Sequence, residues 1–180
     1  MKKLVLVAVL LIVGSVSAQK INWMTMDEAL AAQAKVPKLI MVDMYTNWCG
    51  PCKMMDRNTF ENQDVADYVN EHYYAVKFNA EGNDVVNFNY QTFTNPDYNP
   101  AKANKRNGLH EFSRYIGVRA YPTVVFINLH MEVLTAVKSY QTPQGLELYL
   151  KVFATGKYRD LTTQESFNSY SQNFNPQFKG

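Results

Sequence analysis

Runs of apolar residues predict four β-strands in this chain. The segments "KLIMVDMY" (38–45) and "YAVKFNAE" (74–81) are short, nearly continuous apolar runs, and a single charged residue interrupts each of them. "RAYPTVVFIN" (119–128) and "EVLTAVKSY" (132–140) follow later, with a short turn between them. That turn predicts an antiparallel hairpin for the second pair of strands.

Helices are predicted where capping residues precede apolar side chains at helical spacing. Thr25 and Glu28 form a capping box, Asn62 can cap a second helix, and Thr142 followed by Pro143 starts a third. The helices predicted in this way span about 26–34, 62–73 and 142–156, with shorter ones opening at Cys52 and lying within 108–118.

The order of these elements predicts an α/β fold. Strands separated by helices imply parallel neighbours, and the closing hairpin implies an antiparallel edge, so we expect a mixed sheet. The segment 82–107 is rich in asparagine, has no sustained period and is predicted to be a long insertion with a short helix near 85–90. The polar stretch 157–180 is a C-terminal extension that either adds a helix from about Gln164 or is loosely held.

The first 18 residues have the layout of a secretory signal peptide. Lys2 and Lys3 precede an apolar run from Leu4 to Val13, and small residues follow up to Ala18, after which we expect cleavage. Because a membrane-spanning helix needs about 20 apolar residues, a permanent anchor is the weaker interpretation. The mature protein is therefore expected to be periplasmic or secreted, with no membrane span.

The charge balance argues against a polyanionic partner. The chain has 18 basic and 16 acidic residues, and the two lysines of the leader account for the whole excess. A formally neutral mature chain offers no electrostatic reason to expect binding to nucleic acid or to an anionic membrane surface.

The chemistry of this chain is concentrated in "WCGPC", which holds its only two cysteines, Cys49 and Cys52. A bond between them closes almost no loop and adds little stability, so the pair calls for a chemical explanation. Zinc also favours this spacing, but a zinc site needs two more ligands, and the three histidines are scattered over positions predicted to lie at the surface. We therefore favour a redox pair and predict neither a metal nor a cofactor.

The helix predicted after the pair distinguishes the two thiols. Cys49 would lie at the helix N-terminus, where unpaired backbone N–H groups stabilise a thiolate, and Pro51 suits the first helical turn. Cys49 could then attack a substrate disulfide, and Cys52 could resolve the mixed disulfide. Asp43, in the preceding strand, is a candidate base for Cys52 with Lys77 as its partner, unless the two form an ion pair with no catalytic task.

These residues resemble the thioredoxin superfamily. The resemblance is carried by "VDMYTNWCGPCK", "VKFNAE" and "YIGVRAYPTVVFIN", and "NTFENQDVADYVNEHYYAVKFNAEGND" is more similar to exported relatives such as the C-terminal domain of the bacterial transmembrane thiol reductase. It implies a thioredoxin-like fold over about 19–156, in which helices flank a central mixed sheet and the insertion precedes the strand that a cis-proline opens.

Site roles also follow from the resemblance. It implies that Cys49 is the nucleophile, Cys52 the resolving thiol, Asp43 the buried proton acceptor and Lys77 its neighbour. It also implies a substrate-facing surface made of Trp48, Gly50, Pro51, Tyr121 and Pro122, with Pro122 as the cis-proline. Taken without the resemblance, Trp48 could be a packing residue and Pro122 an ordinary trans residue.

The sequence thus predicts an exported thiol–disulfide oxidoreductase that reduces disulfides in other exported proteins, with a membrane thiol reductase as its electron donor. The Gly-Pro dipeptide, with Asp43 in place, resembles reducing members of the superfamily. One alternative is a disulfide oxidase or isomerase. Another is a peptide-binding holdase that uses the aromatic insertion, although the favoured interpretation of the insertion is a packed loop that covers an edge of the sheet.

Overall fold

The computed structural model describes residues 20–180, so the predicted signal peptide and its cleavage site lie outside the described residues. The strands are Trp23–Met24 (β1), Leu39–Tyr45 (β2), Tyr73–Asn79 (β3), Val86–Phe88 (β4), Gln91–Phe93 (β5), Thr123–Ile127 (β6) and Val133–Lys138 (β7). Five of them form one mixed sheet in the order β1-β3-β2-β6-β7, and β4 pairs with β5 in a separate hairpin.

Helices pack on both faces of this sheet. They are Met26–Gln33 (α1), Gly50–Met55 (α2), Gln63–His72 (α3), Glu111–Tyr115 (α4), Pro143–Ala154 (α5) and Gln164–Gln172 (α6). The predicted caps are confirmed, because the side chains of Thr25, Asn62 and Thr142 each accept a backbone N–H from the first turn of their helix. Within residues 20–180 none of these helices has the length and apolar character needed to cross a membrane.

The central strand β2 explains why the apolar run in the sequence is continuous. Met41 belongs to the core beneath α3 and α5, whereas Ile40, Val42 and Met44 belong to the core beneath α1 and α4. A strand that is covered on both faces needs apolar residues at successive positions rather than at alternate ones.

One topological expectation was wrong. Strands separated by helices were expected to be parallel, and β2 and β3 are, but β6 runs antiparallel to β2. The chain leaves β3 at the end of the sheet where Tyr45 lies opposite Asn79, and β6 begins at that same end, where Thr123 lies opposite Met44. The helix between them, α4, has five residues and is about 8 Å long, which is too short to carry the chain across the sheet.

The insertion 82–107 forms a β-hairpin, not the expected short helix. Its turn residues Asn89 and Tyr90 have positive φ angles of 49° and 61°, which is the geometry that favours a tight two-residue hairpin. Phe88 and Phe93 are buried against Phe112 of α4. The hairpin therefore packs on the face that carries α1 and α4, whereas the edges of the sheet are β1 and β7.

His110 is fully buried, which corrects the expectation that the histidines lie at the surface. Its Nδ1 accepts the backbone N–H of Phe112 and so caps α4, and its Nε2 lies 2.7 Å from the carbonyl oxygen of Asp84 in the insertion. Because Nδ1 is an acceptor, the proton must be on Nε2, which donates to Asp84. One imidazole therefore joins α4 to the insertion.

We expect His110→Ala to lower the free energy of unfolding by about 3 kcal/mol, because it leaves a buried carbonyl and a helix-capping N–H without partners. His110→Asn should lose less, since asparagine is a good N-cap. Urea unfolding of the disulfide-bonded protein measures both variants. Equal losses would show that the capping contact contributes nothing.

The C-terminal extension is bound to the domain, so the structure agrees with the first of the two alternatives, an added helix, and not with a loosely held tail. Its helix α6 begins at Gln164 as predicted. Beyond this helix, the buried carboxylate of Glu147 accepts the backbone N–H groups of Gln177 and Phe178, and Asp64 accepts that of Lys179. The two carboxylates thus accept hydrogen bonds from backbone N–H groups that lie outside the sheet.

Candidate active site

The two cysteines form a disulfide at the start of α2. Their sulfur atoms are 2.09 Å apart and their Cα atoms 5.3 Å apart. Cys49 is the N-cap of the helix, and its Sγ accepts the backbone N–H of Cys52 at 3.1 Å. Gly50 and Pro51 form the first turn of the helix and are exposed. A thiolate at Cys49 would meet the same N–H donor, which favours the anionic form.

The disulfide itself is almost inaccessible, since Cys49 and Cys52 are each 2% exposed. Trp48 and Tyr121 lie beside each other next to the pair, with ring centroids 6.2 Å apart. The Tyr121–Pro122 peptide bond is cis, as the resemblance implied. Trp48 and Tyr121, which belong to two separate loops, are therefore neighbours, whereas Pro122 is buried.

Asp43 and Lys77 are paired, as the sequence suggested. They lie directly opposite each other on the parallel strands β2 and β3, and Lys77 Nζ is 2.6 Å from Asp43 Oδ2. Asp43 is buried, and among the described residues its Oδ1 has no hydrogen-bond partner. If Asp43 is ionised, only one of its two carboxylate oxygens therefore has a partner that offsets the loss of solvation.

Asp56 is a third member of this cluster that sequence reasoning missed. It accepts a hydrogen bond from Lys77 and is more exposed than either of the other two side chains. It begins a π-helical turn, Asp56–Phe60, that continues α2. Such turns commonly occur at functional sites. The cluster thus runs from buried Asp43 through Lys77 to a carboxylate that water can reach.

Burial dominates the electrostatics of the cluster. Loss of solvation raises the pKa of Asp43 to about 6, although Lys77 lowers it, and the charge of Asp56 adds to the increase. Burial also lowers the pKa of Lys77, but its two carboxylate partners outweigh this effect and raise the pKa overall. The Nζ atom lies 5.0 Å from the ring centres of both Trp23 and Tyr45, which further favours the cation.

We expect Asp56→Asn to lower the pKa of Asp43. The substitution removes a negative charge that raises this pKa and leaves Asp43 as the sole charged partner of Lys77. An NMR titration of the Asp43 carboxyl carbon in the oxidised protein measures the shift. Asp97→Asn, at an exposed ion pair with Arg114, is the control and should leave it unchanged. An unchanged Asp43 titration in Asp56→Asn would contradict the coupling.

The insertion holds the active-site loop in place. Asn47 donates its side-chain N–H to the carbonyl oxygen of Ala103 at 2.8 Å. Glu81 accepts both the indole N–H of Trp48 at 2.7 Å and the backbone N–H of Asn107 at 2.8 Å. Trp48 is therefore oriented by Glu81 rather than by packing alone.

No group of three or more histidine, cysteine or acidic side chains within residues 20–180 has a geometry suited to a metal ion. In this state each cysteine sulfur is bonded to the other.

The comparisons with known proteins place the chain in a family. A model of the thioredoxin-like domain matches residues 24–154. No curated protein sequence matches the chain. A putative disulphide-isomerase from Bacteroides thetaiotaomicron is 28% identical, with 78% of this chain and 96% of that chain covered and a TM-score of 0.51.

Two further solved structures share the fold. A thioredoxin-fold protein from Helicobacter pylori is 16% identical, covers 83% of this chain and 84% of its own, and has a TM-score of 0.57. DsbH oxidoreductase is also 16% identical, with 83% of this chain and 94% of that chain covered, and has a TM-score of 0.55. The predicted thioredoxin-like α/β fold is confirmed, the chain belongs to the thioredoxin-like domain family, and its Cys49–Cys52 pair makes it a thiol–disulfide oxidoreductase.

Proposed function

We propose that the protein is exported and reduces disulfides in other exported proteins. The observation that carries this proposal is the position of Cys49, which caps α2 beside Trp48 and the cis-proline loop and is bonded to Cys52 directly behind it. This is the oxidised product that such a reaction leaves.

The reaction balances as a two-electron exchange. The Cys49 thiolate attacks a substrate disulfide, forms a mixed disulfide and releases one substrate thiolate. Cys52 loses its proton and attacks Cys49, which forms the Cys49–Cys52 bond and releases the second substrate thiolate. Both released thiolates take up protons. In this scheme Asp43 accepts the proton of Cys52 and Lys77 stabilises the carboxylate.

The buried charge of Asp43 supports the reducing direction. The proposed proton transfer from Cys52 requires Asp43 to lie within reach of the pair. Its negative charge would then disfavour the Cys49 thiolate, and a less stable reduced form makes the dithiol a stronger reductant. The Gly-Pro dipeptide agrees with this direction by resemblance.

Export and the electron donor complete the proposal. The leader-like sequence of residues 1–18 supports export. Because disulfides persist outside the cytosol, a reductant there needs a dedicated dithiol donor, and we propose a membrane thiol reductase. The substrates are exported proteins that carry disulfides.

A redox titration of the Cys49–Cys52 couple tests the direction. We expect a potential near the value of about −270 mV that is typical of thioredoxin. A potential near about −120 mV, typical of a strong oxidant, would reverse the direction. A value near about −180 mV would favour the isomerase alternative, which is also the activity in the name of the relative from Bacteroides thetaiotaomicron.

The holdase alternative has less support. Most aromatic side chains of the hairpin point inward, and the exception is Tyr90, which is 98% exposed. Cys49→Ser and Tyr90→Ser separate the two functions. Retained biological activity in Cys49→Ser together with its loss in Tyr90→Ser would replace the enzyme proposal with the holdase.

A further inference from the structure

A small cavity of about 280 Å³ opens beside the redox pair. Trp48 and Tyr121 form one wall, next to the cysteine loop and the cis-proline. Arg106, at the end of the insertion, and Arg119, in the loop before Pro122, also line it. We call this space the flanking pocket.

The flanking pocket carries an unbalanced positive charge. Arg106 and Arg119 are exposed, and neither has a carboxylate oxygen within 4 Å among residues 20–180. Glu81 also lines the pocket, but its Oε2 already accepts N–H groups from Trp48 and Asn107. The pocket therefore contains one carboxylate, that of Glu81, which already has hydrogen-bond donors, and two guanidinium groups that have no carboxylate partner.

This excess is a local feature. The acidic and basic residues of the chain balance once Lys2 and Lys3 are set aside. Of the other three arginines within residues 20–180, Arg114 forms an ion pair with Asp97, whereas Arg57 and Arg159 have no carboxylate oxygen within 4 Å. The flanking pocket is distinguished by the fact that two unpaired arginines, Arg106 and Arg119, line the same small space.

Access to the disulfide places substrate residues in this pocket. Because Cys49 is only 2% exposed, the disulfide of a substrate must approach it closely, and the substrate then lies against Trp48 and Tyr121. Residues that flank the substrate cysteine then pass the flanking pocket, which shares both of these aromatic side chains.

We propose that the flanking pocket selects substrates that carry an aspartate or glutamate next to the reactive cysteine. This inference rests on the proposed exchange of disulfides with other proteins and specifies their class. Arginine suits this task because its planar guanidinium binds a carboxylate through two parallel hydrogen bonds. The Arg106 guanidinium lies 5.0 Å from the Trp48 ring centre, so it is already positioned before a substrate arrives.

Single-turnover kinetics with three matched peptides test the proposal. Each peptide contains the same intramolecular disulfide, flanked by glutamate, glutamine or lysine, and the reduced protein is followed by the fluorescence change of Trp48 as its disulfide forms. Each rate constant is divided by that of dithiothreitol with the same peptide, which removes differences in the intrinsic reactivity of the disulfides.

We expect the glutamate peptide to react about fivefold faster than the glutamine peptide at low ionic strength, and the lysine peptide to react most slowly. The preference should weaken as salt is added. Arg106→Gln and Arg119→Gln should each reduce the ratio of glutamate to glutamine rates, and the double variant should bring it near one. Lys105→Gln is the matched control, because it removes an equal charge from an adjacent exposed position outside the pocket and should keep the ratio.

The outcomes separate this inference from the proposed function. Equal normalised rates for all three peptides would overturn acidic selection and leave disulfide exchange intact. A preference for lysine would overturn it as well and assign selection to Glu81. Absence of reaction with every peptide would remove both proposals.

Discussion

Asp43→Asn should slow the release of substrate from the mixed disulfide by about 100-fold and leave the formation of that intermediate nearly unchanged. The Asp43 carboxylate is the buried base proposed for Cys52, and a positioned base typically contributes about 10²–10⁴ in rate. Asparagine has the same shape but cannot accept the proton. Quenched-flow trapping of the mixed disulfide measures the two steps separately. Equal slowing of both steps would reduce Asp43 to a structural partner of Lys77.

The same substitution should stabilise the protein at neutral pH. The folded pKa of Asp43, about 6, lies above the ordinary value of 3.8, so folding favours the protonated form. The associated stability is present below pH 3.8 and is lost as the pH rises through about 6. Because asparagine never ionises, Asp43→Asn should gain up to about 3 kcal/mol at pH 8 and nothing near pH 3.5.

Urea unfolding of the oxidised protein at both pH values measures this gain. A variant that is less stable than the wild type at pH 8 would show that the ion pair with Lys77 outweighs the desolvation of Asp43.

Cys52→Ser should convert the protein into a trap for its substrates. Cys49 can still attack a disulfide, but no second thiol is present to resolve the product, so the mixed disulfide accumulates to about one substrate per chain. Multiple turnovers should stop. Non-reducing electrophoresis followed by mass spectrometry identifies the linked cysteine.

Cys49→Ser is the paired control for the trap, because it also removes the internal disulfide but keeps a buried thiol. It should form no adduct, since Cys52 lies one turn into α2 and lacks the N-cap position that favours a thiolate at Cys49. Adducts through Cys52 in this variant would reverse the roles assigned to the two cysteines.

Local patterns in the sequence were sufficient for the long elements. Capping residues located α1, α3 and α5 within two residues, because a cap and the residues it binds are neighbours in the chain. The pairing of Asp43 with Lys77 was also foreseen, since two lone charges in two buried strands have few other partners.

Apart from the pairing of Asp43 with Lys77, contacts between distant segments were not foreseen. The burial of His110 depends on Asp84, which is 26 residues away. Asp56 gave a weak signal, an acidic residue one turn after Cys52, but its contact with Lys77 depends on the π-helical turn and on β3. The insertion hairpin was missed because its strands have three residues each and its turn is Asn-Tyr rather than Asn-Gly.

The sequence by itself determined the α/β class, the capped helices and the redox pair, because each depends on local patterns along the chain. It also identified Asp43 and Lys77 as partners, because each is a lone charge in a buried strand. The tertiary structure decided the direction of β6, the burial of His110, the second carboxylate beside Lys77 and the two arginines at the flanking pocket. Each of these depends on which distant segments meet, and that is set by packing on the two faces of the sheet.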